Sequence, residues 1–287
     1  MKQLLEIRRN FEPHWVGDGF PVRSLFSYNR DTDVHDPFLL LDYAAPFEFP
    51  SGAAPRGVGE HPHRGFETVT IVYQGELEHG DSAGNRGKIG PGDVQWMTAA
   101  SGVVHQEFHS EAFTRSGGTF EVAQLWVNLP AQQKMSPPRY QEIRDRDIPR
   151  VNLKSDAGSA RVIAGEFAGV RGPAQTVTPI LVCDLEFTTG RSTQLGLPSG
   201  FTTMLVVQRG ELRLNGADTA RGVELALFDR SGDQIAIECA EESRALLLCG
   251  KPIGEPVVGQ GPFVMNTREE IRQAMIDYQS GRMGSLA

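Results

Sequence analysis

The sequence predicts an all-β chain built from two similar halves and closed by one short helix. Glycine and proline supply 50 of the 287 residues, about 17%, against a usual share near 12%, which suits a chain that turns often. Runs of four to eight Val, Ile, Thr, Phe and Leu residues alternate with Gly, Asn, Asp and Pro in both halves, as a β-sandwich or barrel requires. Gln74-Gly75-Glu76-Leu77 returns 135 residues later as Arg209-Gly210-Glu211-Leu212, each time after a β-branched run and before another short strand, which points to an internal duplication.

Taken in chain order, the clearest strand candidates are Thr68–Tyr73, Val94–Met97, Val122–Val127, Ile180–Leu185, Thr203–Val207 and Ala245–Leu248. Ala131–Arg150 carries Pro137-Pro138 and a charged stretch from Glu142 to Arg146 with little apolar period, so it reads as a linker. The expected division is therefore 1–130, a linker at 131–150, and 151–287. One helix is expected over about residues 267–280: Thr267 and Glu270 have capping-box spacing, Ile271, Ala274, Met275 and Tyr278 form an apolar face, and Gly281 can stop it. That face should dock against the barrels.

Composition removes several function classes. The formal charge of −8 disfavours direct nucleic-acid binding, because phosphate affinity comes from Lys and Arg releasing counterions. The longest apolar runs, around Phe38–Leu41 and Ala245–Cys249, are strand-sized and fall far short of the roughly 18–20 residues of a membrane span. Glu6, Arg8 and Arg9 stand where a signal peptide needs its apolar stretch, so a cytoplasmic protein is expected. Cys183, Cys239 and Cys249 are odd in number and lack CxxC spacing, which predicts buried free thiols.

All seven histidines precede residue 110, so the two halves cannot share the same chemistry. His61-Pro62-His63 sets two imidazoles at i and i+2, on one face of an extended strand and about 7 Å apart. His105-Gln106-Glu107 repeats the arrangement with an imidazole and a carboxylate. On adjacent strands with one face inward, the four side chains would converge on a single ion. Three imidazoles, one carboxylate and no thiolate suit a divalent first-row metal. His79, beside the turn Gly80–Asn85, and His14 and His35, outside any strand period, are expected at the surface.

The fuller pattern, His61-x-His63-x3-Glu67-x7-Gly75, then Pro91-Gly92-Asp93, then Gly102-x2-His105, resembles the two signature segments of the cupin superfamily. Asp36-Pro37-Phe38-Leu39-Leu40-Leu41-Asp42, His61-Pro62-His63-Arg64-Gly65-Phe66-Glu67-Thr68-Val69, Pro91-Gly92-Asp93-Val94-Gln95-Trp96-Met97-Thr98-Ala99, Leu125-Trp126-Val127-Asn128-Leu129 and Gly261-Pro262-Phe263-Val264-Met265-Asn266-Thr267 together resemble the pirin family over nearly the whole chain. The resemblance implies two cupin barrels (double-stranded β-helix, or jelly roll), of which only the N-terminal one holds a metal, usually iron, on His61, His63, His105 and Glu107. Fe(II) is the expected ion, and Mn, Co, Ni, Cu and Zn also suit such donors. Glu67 stands where many other cupins take their glutamate ligand, and is expected to orient a ligand or guard the pocket. His109 is expected to line the pocket or lie at the surface.

The resemblance further implies a dioxygenase that opens the ring of a flavonol such as quercetin with O2, Glu107 also taking the enolic proton. Phe66 and Phe108 are candidates to face a flat substrate, although strand parity turns both away from the ligand face. The alternative it implies is a non-catalytic, iron-binding regulatory protein whose partner is a transcription factor or a metabolic enzyme. A third reading keeps the barrel and gives it another small oxygenated substrate.

Overall fold

The computed structural model describes Met1 to Leu286. In chain order the strands begin β1 (Leu4–Arg8), β2 (Pro13–Val16), β3 (Phe20–Ser27), β4 (Phe38–Phe49), β5 (Gly57–His63), β6 (Phe66–Gln74), β7 (Leu77–Asp81), β8 (Arg86–Ile89), β9 (Val94–Thr98), β10 (Val103–His109), β11 (Gly118–Asn128) and β12 (Arg139–Ile143). Helices α1 (Thr32–His35) and α2 (Glu111–Ser116) interrupt them. There follow β13 (Arg150–Asn152), β14 (Gly158–Ala164), the hairpin β15 (Glu166–Phe167) and β16 (Val170–Arg171), β17 (Ile180–Phe187), β18 (Ser192–Gly196), β19 (Thr202–Arg209), β20 (Glu211–Leu214), β21 (Asp218–Arg221), β22 (Glu224–Phe228), β23 (Gln234–Cys239) and β24 (Ser243–Gly250). The chain closes with β25 (Val258–Gln260), β26 (Phe263–Met265) and α3 (Arg268–Gln279).

The strands form two jelly-roll units of one plan. One pairs a seven-stranded sheet, β12-β9-β6-β11-β4-β3-β2, with a four-stranded sheet, β5-β10-β7-β8; the other pairs β1-β22-β19-β24-β17-β14-β13 with β18-β23-β20-β21. Position for position the two orders coincide, which realises the duplication. The repeated tetrapeptide marks corresponding hairpins, β6–β7 and β19–β20. Its glycines, Gly75 and Gly210, have φ of 86° and 79°, and a Cβ at either would meet the Phe120 ring at 2.7 Å or Ser243 Oγ at 2.2 Å. Only glycine fits there.

The edges of the large sheets divide the chain differently from the expected boundaries. β12 occupies the outermost place in one sheet, and β1, from the start of the chain, fills the corresponding place in the other. Met1–Phe11 therefore groups with Arg146–Pro252, and Glu12–Asp145 with the segment from Ile253 onward. The stretch 131–150 is no simple linker: Arg139–Ile143 pairs with β9 throughout its length, which covers an otherwise open edge.

Helix α3 has the full capping box of Thr267 and Glu270. Ile271 and Ala274 pack with Val104 of β10, Phe263, Met265 and Met283, so the helix belongs with the histidine-bearing unit rather than the C-terminal barrel. Tyr278, expected on the docked face, is 39% exposed, and Asp277 takes the buried place. The ion pair that explains this exchange joins Asp277 to Arg64, at 2.7 Å.

The two interiors differ. Leu195, Leu205, Leu212, Leu247, Ile235 and Ile237 help to fill the second barrel with hydrocarbon. In the first, the apolar cluster around Phe20, Val72, Leu77, Phe113 and Phe120 occupies one part of the interior, and polar side chains line another. All three cysteines are free and buried. No helix among the described residues is long and apolar enough to cross a membrane.

Candidate metal centre

Alternation along the seven-stranded sheet of the first barrel lays one polar row across its inner face. Ser24 on β3 stands opposite Asp42 on β4, Asp42 opposite Gln124 on β11, Gln124 opposite Thr70 on β6, and Thr70 opposite Gln95 on β9. Polar groups in a sheet interior are costly unless they find partners. Three of these five reach one carboxylate on the facing sheet: Glu107 accepts from Thr70 Oγ1 at 3.2 Å, Gln95 Nε2 at 3.3 Å and Gln124 Nε2 at 2.9 Å.

The four-stranded sheet brings the histidines to the same place. His105 on β10 pairs with His61 on β5 and with Asp81 on β7, while Glu107 pairs with His79. Directly opposed residues share a face, so all of these side chains project inward together. The ring centroids of His61 and His105 lie 4.2 Å apart, and His63 is 4.9 Å from each. Candidate ligand atoms of His61, His63 and His105 lie within 4.8 Å of one another; those of His79, His105 and Glu107 form a second such group. His105 belongs to both.

Hydrogen bonds fix the tautomers. His61 Nδ1 faces Gly59 O at 2.7 Å and His63 Nδ1 faces Pro262 O at 3.3 Å. A carbonyl only accepts, so both Nδ1 atoms carry the proton and both Nε2 lone pairs are left for a cation. The bulge on β5 that shifts the register between His105 and Glu107 supplies the Gly59 carbonyl. Burial, then the neighbouring imidazoles, hold His63 and His105 well below the usual histidine range, so both rings are neutral. His105 Nε2 is buried with no hydrogen-bond partner. An orphaned acceptor of this kind costs about 1–3 kcal/mol, which a bound cation would remove. The donors therefore fit a first-row divalent ion.

His79, expected at the surface, is buried in this centre. Its Nε2 donates to Asp81 Oδ2 at 3.2 Å, and its Nδ1 accepts from Gln95 Nε2 at 3.2 Å and lies 3.5 Å from His105 Nδ1. Burial pushes the Asp81 carboxyl up, but bonds from His79 and Asn85 outweigh it and hold the group below its ordinary value. Tyr140 stacks on the His79 ring at 5.0 Å. The signal lay in Leu77-Glu78-His79-Gly80-Asp81, where alternate residues face inward.

Other expected positions separate from the centre. Glu67 lies on the opposite face of the large sheet from Thr70, where its Oε1 accepts from Thr98 Oγ1 at 2.6 Å, so it neither orients a ligand nor guards the pocket. His109 donates from Nε2 to Gly19 O at 2.9 Å inside a box of Phe49, Phe113 and Phe120. Phe66 stacks on Trp126 and touches the His63 ring edge to face at 5.1 Å, whereas Phe108 borders a separate depression with Gln106 and Arg86. His35 is buried against Phe26, and His14 is exposed as expected. A small cavity, with about 30 Å³ of space, lies beside His61 and Glu107; Asp42 and Gln124 share its wall with Val22, Val58 and Val122.

Comparison with known proteins agrees with this architecture. Residues 19–127 match the family model Pirin, and residues 182–284 match that of the Pirin C-terminal cupin domain. A Pseudomonas aeruginosa protein, whose name provisionally assigns it quercetin 2,3-dioxygenase activity, is 55% identical over 282 residues, 98% of each chain. The crystal structure of a quercetin 2,3-dioxygenase from Acinetobacter baumannii is 49% identical and superposes with a TM-score of 0.97 over 99% of both chains. The Escherichia coli pirin YhhW, solved with nickel(II), shares the fold at a TM-score of 0.66 and 19% identity, covering 86% of this chain and 99% of that one. With two cupin barrels in series and both family models matched, the chain belongs to the pirin family.

Proposed function

We propose that this chain is a metal-dependent dioxygenase that opens the ring of a flavonol such as quercetin with O2, its ion held by His61, His63, His105 and Glu107. The observation that carries the reading is the buried, unpartnered Nε2 of His105 beside two imidazoles whose Nδ1 protons are already engaged. Fe(II) suits three imidazoles and a carboxylate, as do several other first-row ions. Once bound, such an ion would acidify a coordinated hydroxyl and mediate electron exchange with dioxygen. Glu107 takes the enolic proton of the substrate. Thr70, Gln95 and Gln124 hold its carboxylate in position for that transfer. The valines of the cavity wall make the surroundings of Glu107 apolar.

Metal-loaded protein mixed with quercetin in air should bleach the flavonol absorbance, and under nitrogen should leave it unchanged. Persistence of the absorbance in air with every first-row divalent metal would reject the reading.

His79 acts through its neighbours as a positioning residue. His79→Phe keeps the stack on Tyr140 but takes an acceptor from Gln95 and His105, so metal affinity should fall about 10- to 100-fold in chelator competition. Unchanged affinity would reduce His79 to packing.

A further inference from the structure

The cavity beside His61 and Glu107 has about 30 Å³ of space, room for a water or two and for no aromatic ring. On one side it is closed by the turn between β2 and β3. Val16, the last residue of β2, and Phe20, the first of β3, both line the cavity, so Gly17-Asp18-Gly19 lies across its rim. β2 is the outermost strand of the seven-stranded sheet and β5 of the four-stranded one, and the two are not paired as strands. The turn bridges them instead. Asp18 N–H donates to Gly57 O at 3.2 Å, and Gly57 N–H donates to Asp18 Oδ1 at 2.7 Å. The approach is backbone on backbone: a Cβ at Gly17 would meet Gly57 O at 2.0 Å, and one at Gly19 would meet Gly57 Cα at 2.7 Å. His109 Nε2 adds a bond to Gly19 O at 2.9 Å from inside its aromatic box.

These bonds hold a segment with little else to fix it. β2 has four residues, pairs with β3 on one side only, and leaves Pro13, His14 and Trp15 exposed. A strand end with few buried apolar contacts opens locally at small cost. Glycines on both sides of Asp18 allow the backbone change that such opening needs. Phe20, buried and edge to face with Phe120 at 5.6 Å, marks where the movable part stops.

We infer that residues 16–19 form a strap over the cavity, latched by Asp18 on Gly57, and that the strap lifts to admit any molecule larger than the closed space to the side chains of His61 and Glu107. The inference rests on the proposed function only in taking those residues to hold an ion that meets its substrate inside this barrel.

The test uses full-length, zinc-loaded protein, zinc having no redox chemistry of its own. The probe is 4-nitrocatechol, whose ring exceeds the closed cavity and whose absorbance shifts when a metal binds its oxygens. Association rates are measured by stopped flow for the parent, Asp18→Ala and Asp18→Asn, with zinc content and exchange of the Gly57 amide hydrogen read on the same samples. The alanine variant loses the acceptor for Gly57 N–H, and the asparagine variant keeps one. Asp18→Ala should raise the exchange rate and the association rate about fivefold or more, at unchanged zinc content, and Asp18→Asn should stay within about threefold of the parent. Faster exchange without faster association overturns the inference, because the ring then enters elsewhere. Unchanged exchange, loss of zinc from Asp18→Ala, or no binding of the probe by parent and variants alike overturns it as well. Faster association in a protein that leaves quercetin unbleached in air keeps the strap and removes the dioxygenase; bleaching in air with equal association rates does the reverse.

Discussion

Replacing His105 by alanine should empty the centre. His105 is common to both clusters of candidate ligands, and its ring lies 4.2 Å from His61, 4.9 Å from His63 and 5.3 Å from His79. Elemental analysis should find about one ion per chain in the parent and less than about a tenth of that in the variant, on the expectation that losing one of four donors opens the site. Thermal unfolding supplies a second readout. Metal present at a hundred times its dissociation constant stabilises the parent by about 2.7 kcal/mol, a gain that His105→Ala should lack. In metal-free protein two effects oppose each other. The lost ring leaves a cavity, a cost of about 2 kcal/mol or more, but it also removes a buried acceptor without a partner, worth about 1–3 kcal/mol. The metal-free forms should therefore unfold at similar temperatures. Retention of stoichiometric metal by the variant would remove His105 from the ligand set.

The pairs His61/His63 and His105/Glu107 were legible in the sequence because each lies on one strand, where period-two alternation fixes the shared face without knowledge of the fold. His79 and Asp81 form a third such pair on β7, but the turn residues beside them read as a surface hairpin. The Nδ1 partners of His79 come from β9 and β10, and only sheet register places Gln95 and His105 against it. The cradle of Glu107 left a fainter trace: Thr70, Gln95 and Gln124 each sit between two apolar neighbours in sequence, and the three share the inward face. The division of the chain failed for a different reason. Nothing in Leu4-Leu5-Glu6-Ile7-Arg8 states which sheet edge it will cover, because an edge strand is chosen by what the partner leaves open. At the terminal helix, local rules found the cap and the Ile271–Ala274 face. They put Tyr278 inside because apolar periodicity cannot see that Arg64, far away in sequence, requires an anion at Asp277.

Breaking that ion pair should produce the largest loss of stability. Arg64 is 4% exposed; its Nη1 meets Asp277 Oδ2 at 2.7 Å and its Nε donates to Ser101 O at 2.7 Å. Asp277→Ala strands a buried guanidinium, at an expected cost of about 3–5 kcal/mol, whereas the double variant Arg64→Met/Asp277→Leu removes both charges and should recover most of it. Acid unfolding separates the charge from the packing. Burial raises the Asp277 carboxyl, but Arg64, Gln273 and Arg282 prevail and hold it down to about 2, against about 3.9 in the unfolded chain. The folded state therefore binds fewer protons between those values. The stabilisation is fully present above about pH 4 and is lost as pH falls towards 2. Asp277→Asn should flatten that part of the acid limb. The same pair bears on the metal, because Arg64 follows His63 directly and Pro262, in the same C-terminal segment as α3, accepts the His63 proton. Asp277→Ala should accordingly weaken metal binding as well as folding, and the apolar double variant should restore both. If Asp277→Ala unfolds at the parental denaturant midpoint, the helix is held by Ile271 and Ala274 alone, and the link from α3 to the metal strand is absent.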